Sequence, residues 1–480
     1  MGMKKFSVVR LLVFVLALTL LAGCDGGLDG SGPSSAQNTN LIFVVSPDLA
    51  NDPLGDINPA TANLNNQGLQ RSLLMGTYLK DQVLGGNNVT KIYVLEPMTH
   101  LQTANQYPDM AAIGFIQHFA LLNQITQLGQ TVNSYPLNAA YAPGSVPSGV
   151  IEPNPFIPGA QGLDFNNANE SANLALAAGV IQARVPGYYV FSAPWETTRA
   201  LLTGIKNAFG YNIVLPATYL GSNHVYMISI TPSGFANLAA IDSDLNPSAD
   251  YPTLPSPVAS APCNTQQNYF SYALTGGVNG VVVPPGINTN ATVYLIRHAE
   301  AHPVNAVEDG NYVGAGQWRA LALPDALRGK INPTMVYSID PAQSFSILTD
   351  SFSYVRPSLT VLPYAIATGL PYYLAASFSI GEVSTDPVVA QNTSDFFFTG
   401  GKFSNQTLLV AWEHERYPPL VTALLQSYGG VDPVPAFDWP QNDYDTIWTV
   451  KLDAQGNVTV DNGLCEGIDS ASLPVAAPRF

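Results

Sequence analysis

Apolar positions along this chain alternate between two forms. Short continuous runs rich in β-branched and aromatic residues read as buried strands, and longer stretches with a 3.6-residue apolar period read as helices against a core. The same order of forms occurs twice. The strand run at Ile42 (IFVVSPD) matches that at Val293 (VYLIRHA), and the helical period from Gln67 to Val83 matches that from Ala315 to Ile331. KIYVLEPM from Lys91 pairs with MVYSIDPA from Met335, each a strand ending at an acid followed by proline. Gln106–Leu121 lies opposite Ser353–Thr368, and Tyr188–Ile205 opposite Thr407–Leu424, where in both copies a strand runs into a helix. His224–Gly234 mirrors Thr446–Gly456 as a hairpin-like pair. One such match is commonplace. Six in the same order indicate an internal duplication.

Alternating strands and helices argue for the α/β class. The expected architecture is two tandem three-layer domains with mostly parallel sheets, at residues 41–250 and 288–480. The proline-rich segment 251–287 between them reads as a linker, in which GGVNGVVVPPG has the makings of an extra strand. In sheets of this class the functional groups gather at the carboxyl ends of the strands.

Composition narrows the picture. At 480 residues and 46% hydrophobic the chain can bury sizeable cores. Its formal net charge of −16 repels nucleic acid and anionic lipid. Any anion site must therefore be a local basic pocket, and the few Arg and His residues become informative. At the N-terminus Lys4, Lys5 and Arg10 precede the apolar run Leu11–Leu21, which is short for a bilayer span and has the form of a secretory signal. The following LLAGC resembles a bacterial lipobox, which implies cleavage after residue 23 and lipid attachment to Cys24. Residues 24–40, rich in Gly and Ser, then form a flexible tether. The expected location is the bacterial cell envelope, periplasm-facing, with the membrane reached through the lipid. Export leaves Cys263 and Cys465 in an oxidising compartment, where they either form one disulfide or stay as two buried thiols. Both follow the last strand pair of their copy, so a bridge would tie the two copies at equivalent corners.

The second copy carries chemistry at its strand ends. One strand ends at Arg297 and His298, a helix begins after Arg356, and a later strand ends at Glu413, His414 and Glu415. Two guanidinium groups and two imidazoles converging on one point make a pocket for a phosphoryl group: arginine forks match phosphate oxygens, and an imidazole nitrogen can attack phosphorus. A carboxylic acid is then needed to protonate the leaving alkoxide. LIRHAE, GQWRALAL, the RP pair before a helix, and LLVAWEH together resemble the histidine phosphatase superfamily, the phosphoglycerate-mutase-like group, over Val293 to about Leu425. The resemblance implies that His298 is the phosphorylated nucleophile, that Arg297 and Arg356 hold phosphate oxygens, and that His414 is the second histidine. It implies the proton donor less uniquely: Glu415 matches one branch, and Glu382, in a mid-chain loop, matches the other. Glu415 is preferred here. His302 with Glu300 and His414 invites a metal reading, which Pro303 disfavours by placing His302 in a loop. No metal and no cofactor is expected.

In the first copy Ser46 and Pro47 fall opposite Arg297 and His298, Asp109 opposite Arg356, and APWE opposite WEHE. The cations are gone. That copy is expected to keep the fold without the chemistry and to shape the active half. The function that follows is a phosphomonoester hydrolase acting on a small phosphorylated substrate through a phosphohistidine. The alternative is a non-catalytic envelope lipoprotein that binds phosphorylated ligands.

Overall fold

The computed structural model describes residues 35–140, 158–165, 170–263, 269–302, 308–347, 350–375, 387–431 and 433–480. Cys24 and Glu382 lie outside the described residues. The first half contains strands β1 (Thr39–Val45), β2 (Lys91–Val94), β3 (Gly187–Ala193), β4 (His224–Ile230) and β5 (Ala236–Asp242). Its helices are α1 (Asn66–Tyr78), α2 (Ala111–Leu121), α3 (Glu170–Ala183) and α4 (Trp195–Phe209). The second half contains β6 (Ser271–Leu274), β7 (Ala291–Arg297), β8 (Met335–Ile339), β9 (Tyr372–Ala375), β10 (Thr407–Trp412), β11 (Thr446–Leu452) and β12 (Val458–Cys465). Its helices are α5 (Gly314–Leu327), α6 (Arg356–Thr368), α7 (Pro387–Phe398) and α8 (Tyr417–Gln426).

Local chemistry sets several boundaries. The Asn65 side chain accepts from the Gly68 amide to start α1. Gly210 and Gly369, at φ of 63° and 65°, end α4 and α6 in the left-handed conformation that a Cβ disfavours.

The five-stranded sheet runs β5-β4-β1-β3-β2 and the seven-stranded sheet β6-β12-β11-β7-β10-β8-β9. Within the second, β12-β11-β7-β10-β8 repeats the order and strand directions of the whole first sheet. Both sheets are mixed, not mostly parallel as the alternation suggested. β1, β3 and β2 are parallel, as are β7, β10, β8 and β9, whereas β4 with β5 and β11 with β12 return antiparallel. The turns joining each of these two pairs are too short for a crossover helix, so the chain has to reverse there.

Strand alternation sends the two faces of the second sheet to different partners. Val293, Leu295, Val410, Trp412 and Trp448 pack with Phe397, Phe398, Leu420 and Leu424 of α7 and α8. Ile296, Leu409, Ala411 and Ile447 instead join α5, α6 and an apolar core that continues into the first half. α2 and α6 pass closely: a Cβ on Gly114 would lie 2.9 Å from Leu362 Cδ2. Around that contact Gln117 Nε2 donates to Asn311 Oδ1 at 2.8 Å, and His118 Nδ1 meets Gln317 Oε1 at 3.0 Å. Burial pushes the His118 imidazole down to about 4, so it is neutral there. One core thus runs through both halves, and a second, under α7 and α8, belongs to the second half alone.

The acids ending β2 and β8, Glu96 and Asp340, were recognised in the sequence only as strand ends. They meet in this shared interior, fully buried and close enough to shift each other, with Glu96 Oε1 and Asp340 Oδ2 finding no other hydrogen-bond partner among the described residues. Two carboxyl groups in contact require a proton between them. Burial and the Asp340 charge raise Glu96 well above the usual carboxyl range, and burial raises Asp340 to about 6. Both folded-state values exceed the unfolded ones, so the contribution is full below about pH 4 and is lost as pH rises through about 6. Glu96→Gln supplies the donor without a titrating proton. In urea titrations the variant should gain on the wild type by on the order of 3 kcal/mol between pH 4 and pH 8; parallel pH profiles would show that the pair carries no proton.

The segment 251–287 is more than a linker. Tyr251 donates to the Leu321 carbonyl of α5 at 2.9 Å, and β6 pairs antiparallel with β12 as the edge of the second sheet. The extra strand is therefore SYAL at 271–274, whereas Val282 makes only an isolated bridge to Gly429. Cys263 and Cys465 are bonded, with Cα atoms 5.5 Å apart. The Ala261 amide donates to the Gly467 carbonyl beside the bridge. The bridge therefore fastens the segment entering the second sheet to that sheet's last strand, and does not join equivalent corners of the two halves.

Candidate active site

β7 and β10 are parallel neighbours, with Arg297 beside Trp412, so the residues that follow both strands emerge together. The His298 amide donates to the Trp412 carbonyl at 3.0 Å. The His298 ring is almost fully buried; Nδ1 donates to the Ala299 carbonyl at 2.7 Å, which leaves Nε2 facing the pocket. Glu413 lies against that nitrogen, with Oε2 at 3.1 Å and Oε1 at 3.3 Å.

Glu413 gathers the other groups. Its Oε1 accepts from the His414 amide at 3.1 Å and contacts His414 Nδ1 at 2.5 Å. Its Oε2 accepts from the Tyr354 hydroxyl and lies 3.8 Å from Arg356 Nη2. Burial opposes ionisation of this carboxyl, but His298, His414 and Arg356 hold it well below the usual range. Burial also pushes the His298 imidazole below its ordinary value, against the pull of Glu413 and with the help of Arg356 and Arg297.

Arg356 is the first residue of α6, and its Nη1 donates to Glu308 Oε2 at 2.6 Å. The guanidinium of Arg297 lies 4.0 Å over the Tyr444 ring and donates to the Gln441 carbonyl. The Nε atoms of both arginines are buried and find no partner among the described residues. The structure thus brings together His298, His414 and Arg356, with Arg297 beside them. Glu415 is half exposed, with Oε1 4.0 Å from His414 Nε2, the edge of the ring away from Glu413.

Glu300 does not approach His414: it holds the buried Arg319 at 2.8 Å. Arg71, opposite Arg319 in the duplicated pattern, is likewise buried on an acid, Asp56, at 2.7 Å. These two arginines serve the fold. His302 pairs with Asp309 at 2.9 Å, and Asp309 also accepts from Ser134 Oγ of the first half at 2.5 Å. Among the described residues His298, Glu413 and His414 form one cluster of metal-ligating type and His302, Glu308 and Asp309 another. Arg356 contacts an acid of each, which favours an anion over a cation at their junction.

At the matching place in the first half the Ser46 amide donates to the Ala193 carbonyl, as His298 does to Trp412. Ser46 therefore stands opposite His298, and Val45 opposite Arg297, one residue away from the alignment of the sequence patterns. A slip of one residue exchanges the faces of a strand, so the register of the neighbouring strand decides it. Asp109 binds His100 at 2.8 Å and caps α2 through the Ala111 amide. One imidazole is therefore present here, from His100, which lies between the matched segments. Burial, with Glu196 and Asp109 nearby, raises Asp48 to about 6, the mark of an acidic pocket.

Sequence reasoning assigned no role to Glu413, Tyr354 or Glu308. Glu413 and Tyr354 each stand within two residues of an assigned group, and only their side-chain directions bring them inside. Glu308 comes from a loop held by the first half, where Gln127 Oε1 accepts from its amide at 3.1 Å.

No family model matches the chain, and no curated protein does. Solved structures similar to part of it include a phosphoserine phosphatase from Entamoeba histolytica, at 12% identity and TM-score 0.24, covering 36% of this chain and 97% of that one. A phosphoglycerate mutase from Plasmodium falciparum is similar at 16% identity and TM-score 0.24, over 40% and 99% of the two chains. A putative phosphohistidine phosphatase from Agrobacterium tumefaciens is similar at 14% identity and TM-score 0.20, over 34% and 92%. Likenesses this low transfer no residue roles.

Proposed function

We propose that the chain is a phosphomonoester hydrolase of the histidine-phosphatase type, with His298 as the nucleophile. The observation that carries the proposal is the presentation of His298: Nδ1 is tied to the Ala299 carbonyl, so Nε2 is aimed at the place where His414, Arg356 and Tyr354 also point. Nε2 attacks phosphorus, the phosphorus–oxygen bond to the leaving group breaks, and water later cleaves the phosphohistidine. Arg297, Arg356 and His414 neutralise the phosphoryl oxygens. A carboxylic acid, Glu415 or Glu382, supplies the leaving-group proton. Reaction of the protein with an aryl phosphate, an acid-free quench that preserves the acid-labile P–N bond, and peptide mapping for phosphohistidine test the reading: it requires the phosphoryl group on His298.

The first half, on this reading, is a degenerate copy that positions the active one. Gln127 and Ser134 hold the segment bearing Glu308 and Asp309, and Glu308 in turn holds Arg356. A phosphoryl-ligand binder without turnover is a second reading, favoured by the carboxylate of Glu413 standing on Nε2. A binder would give no phosphohistidine.

We also propose export and lipid anchoring through Cys24, supported by the LLAGC motif after the apolar run. In bacteria making the full chain, the protein should enter the detergent phase on phase separation, and Cys24→Ser should block its processing or release it. Equal aqueous partitioning of both forms would rule the anchor out.

A further inference from the structure

The sequence pattern places cations around an empty anion pocket, but in the structure that pocket already holds an anion, the side chain of Glu413. Its two oxygens take the places that phosphoryl oxygens need. Oε2 contacts His298 Nε2 at 3.1 Å, accepts from the Tyr354 hydroxyl and faces Arg356 Nη2 at 3.8 Å. Oε1 accepts from the His414 amide and contacts His414 Nδ1. A phosphorus atom in line with Nε2 would need the volume this carboxylate fills. The charged and titratable groups facing it are Arg297 and His298 after β7, Tyr354 and Arg356 at the start of α6, Glu308 on the far side of Arg356, and His414 at its own turn. The Glu413 side chain is 19% exposed, so it has an outlet to solvent.

We propose that Glu413 is a built-in competitor for the phosphoryl site, a carboxylate that the substrate must displace before His298 can react. This rests on the reading of the pocket as a phosphoryl site. Chemically, a carboxylate and a phosphoryl group use the same donors: an imidazole, a guanidinium, a phenol and a backbone amide. The two anions also repel in a partly buried space, so they exclude each other by charge as well as by volume. The competitor makes the site selective. A singly charged or weakly held anion cannot offset the contacts that Glu413 gives up, whereas a phosphoryl dianion with further contacts from its leaving group can.

The experiment is calorimetric binding of inorganic phosphate to the soluble protein, wild type beside Glu413→Gln and Glu413→Ala. Gln keeps the shape and removes the charge; Ala removes both. Phosphate should bind at least about ten-fold tighter to Glu413→Ala than to wild type, with Glu413→Gln between them. A residue that merely supports the fold would weaken binding when replaced, and a gain separates the two roles even if one variant folds poorly. Equal or weaker phosphate binding in both variants, or none in any form, overturns the inference. Phosphohistidine on His298 with no tightening in the variants would remove the competitor and leave the hydrolase reading standing. Tightening without phosphohistidine would do the reverse.

Discussion

His298→Ala is expected to lower phosphomonoester turnover by roughly three orders of magnitude or more. The argument is geometric. His298 is the group whose ring nitrogen faces the convergence of Arg356, His414 and Tyr354, and its Nδ1–Ala299 bond fixes which nitrogen that is. If these groups act on one phosphoryl transfer, as proposed, their losses should not add. Arg356→Ala alone should be severe, since it also frees Glu308; added to His298→Ala it should cost little further. Ser46→Ala, at the matching place in the first half, should leave turnover unchanged. Steady-state rates with aryl and alkyl phosphates check all four proteins and also locate the donor. Its loss slows poor alkoxide leaving groups far more than aryl ones, so selectivity in Glu415→Gln supports the preferred assignment, and selectivity in Glu382→Gln the other. Full activity in His298→Ala would end the catalytic reading.

Reduction of the Cys263–Cys465 bond is expected to cost several kcal/mol of stability. The bonded residues are 202 apart in sequence, and the chain-entropy account gives about 5 kcal/mol for closing a loop of that length. The bridge also holds the segment that delivers β6 to the edge of the second sheet, where β6 adds only four residues of pairing to β12. Urea unfolding of oxidised protein, reduced protein and the Cys263→Ala/Cys465→Ala variant measures the effect. The last two should share one lowered midpoint; an unchanged midpoint would mean that native contacts alone secure the edge. If the lost stability is confined to that edge, β6 amides should also exchange faster than those of β7 in the reduced form.

Much of the molecule was legible without coordinates because strands and helices write their periods into local sequence. The collinear patterns located the strands and helices that the two halves share, down to the strand ends that carry Arg297, His298 and His414, but not α3, α7, β6 or β9, which have no counterpart in the matched pairs. The patterns gave β4 with β5 and β11 with β12 as hairpin-like pairs, but not that β4 and β11 also run antiparallel to β1 and β7, because apolar alternation is the same in either direction. The two cysteines left a bond and two buried thiols equally open in the sequence; the structure shows the bond, and the corners it joins depend on β6 belonging to the second sheet.

The sequence by itself determined the α/β class, the doubled order of elements and the concentration of Arg and His at one set of strand ends, because each is a property of neighbouring residues. Tertiary structure decided what sits inside the pocket. Whether Glu413 points into the site or out to solvent, and whether Ser46 or Pro47 stands opposite His298, turns on side-chain direction and strand register, which contacts far along the chain fix. The same holds for the shared core: Glu96 and Asp340 close their own strands in sequence, and only packing between the two halves brings the two acids to one buried place.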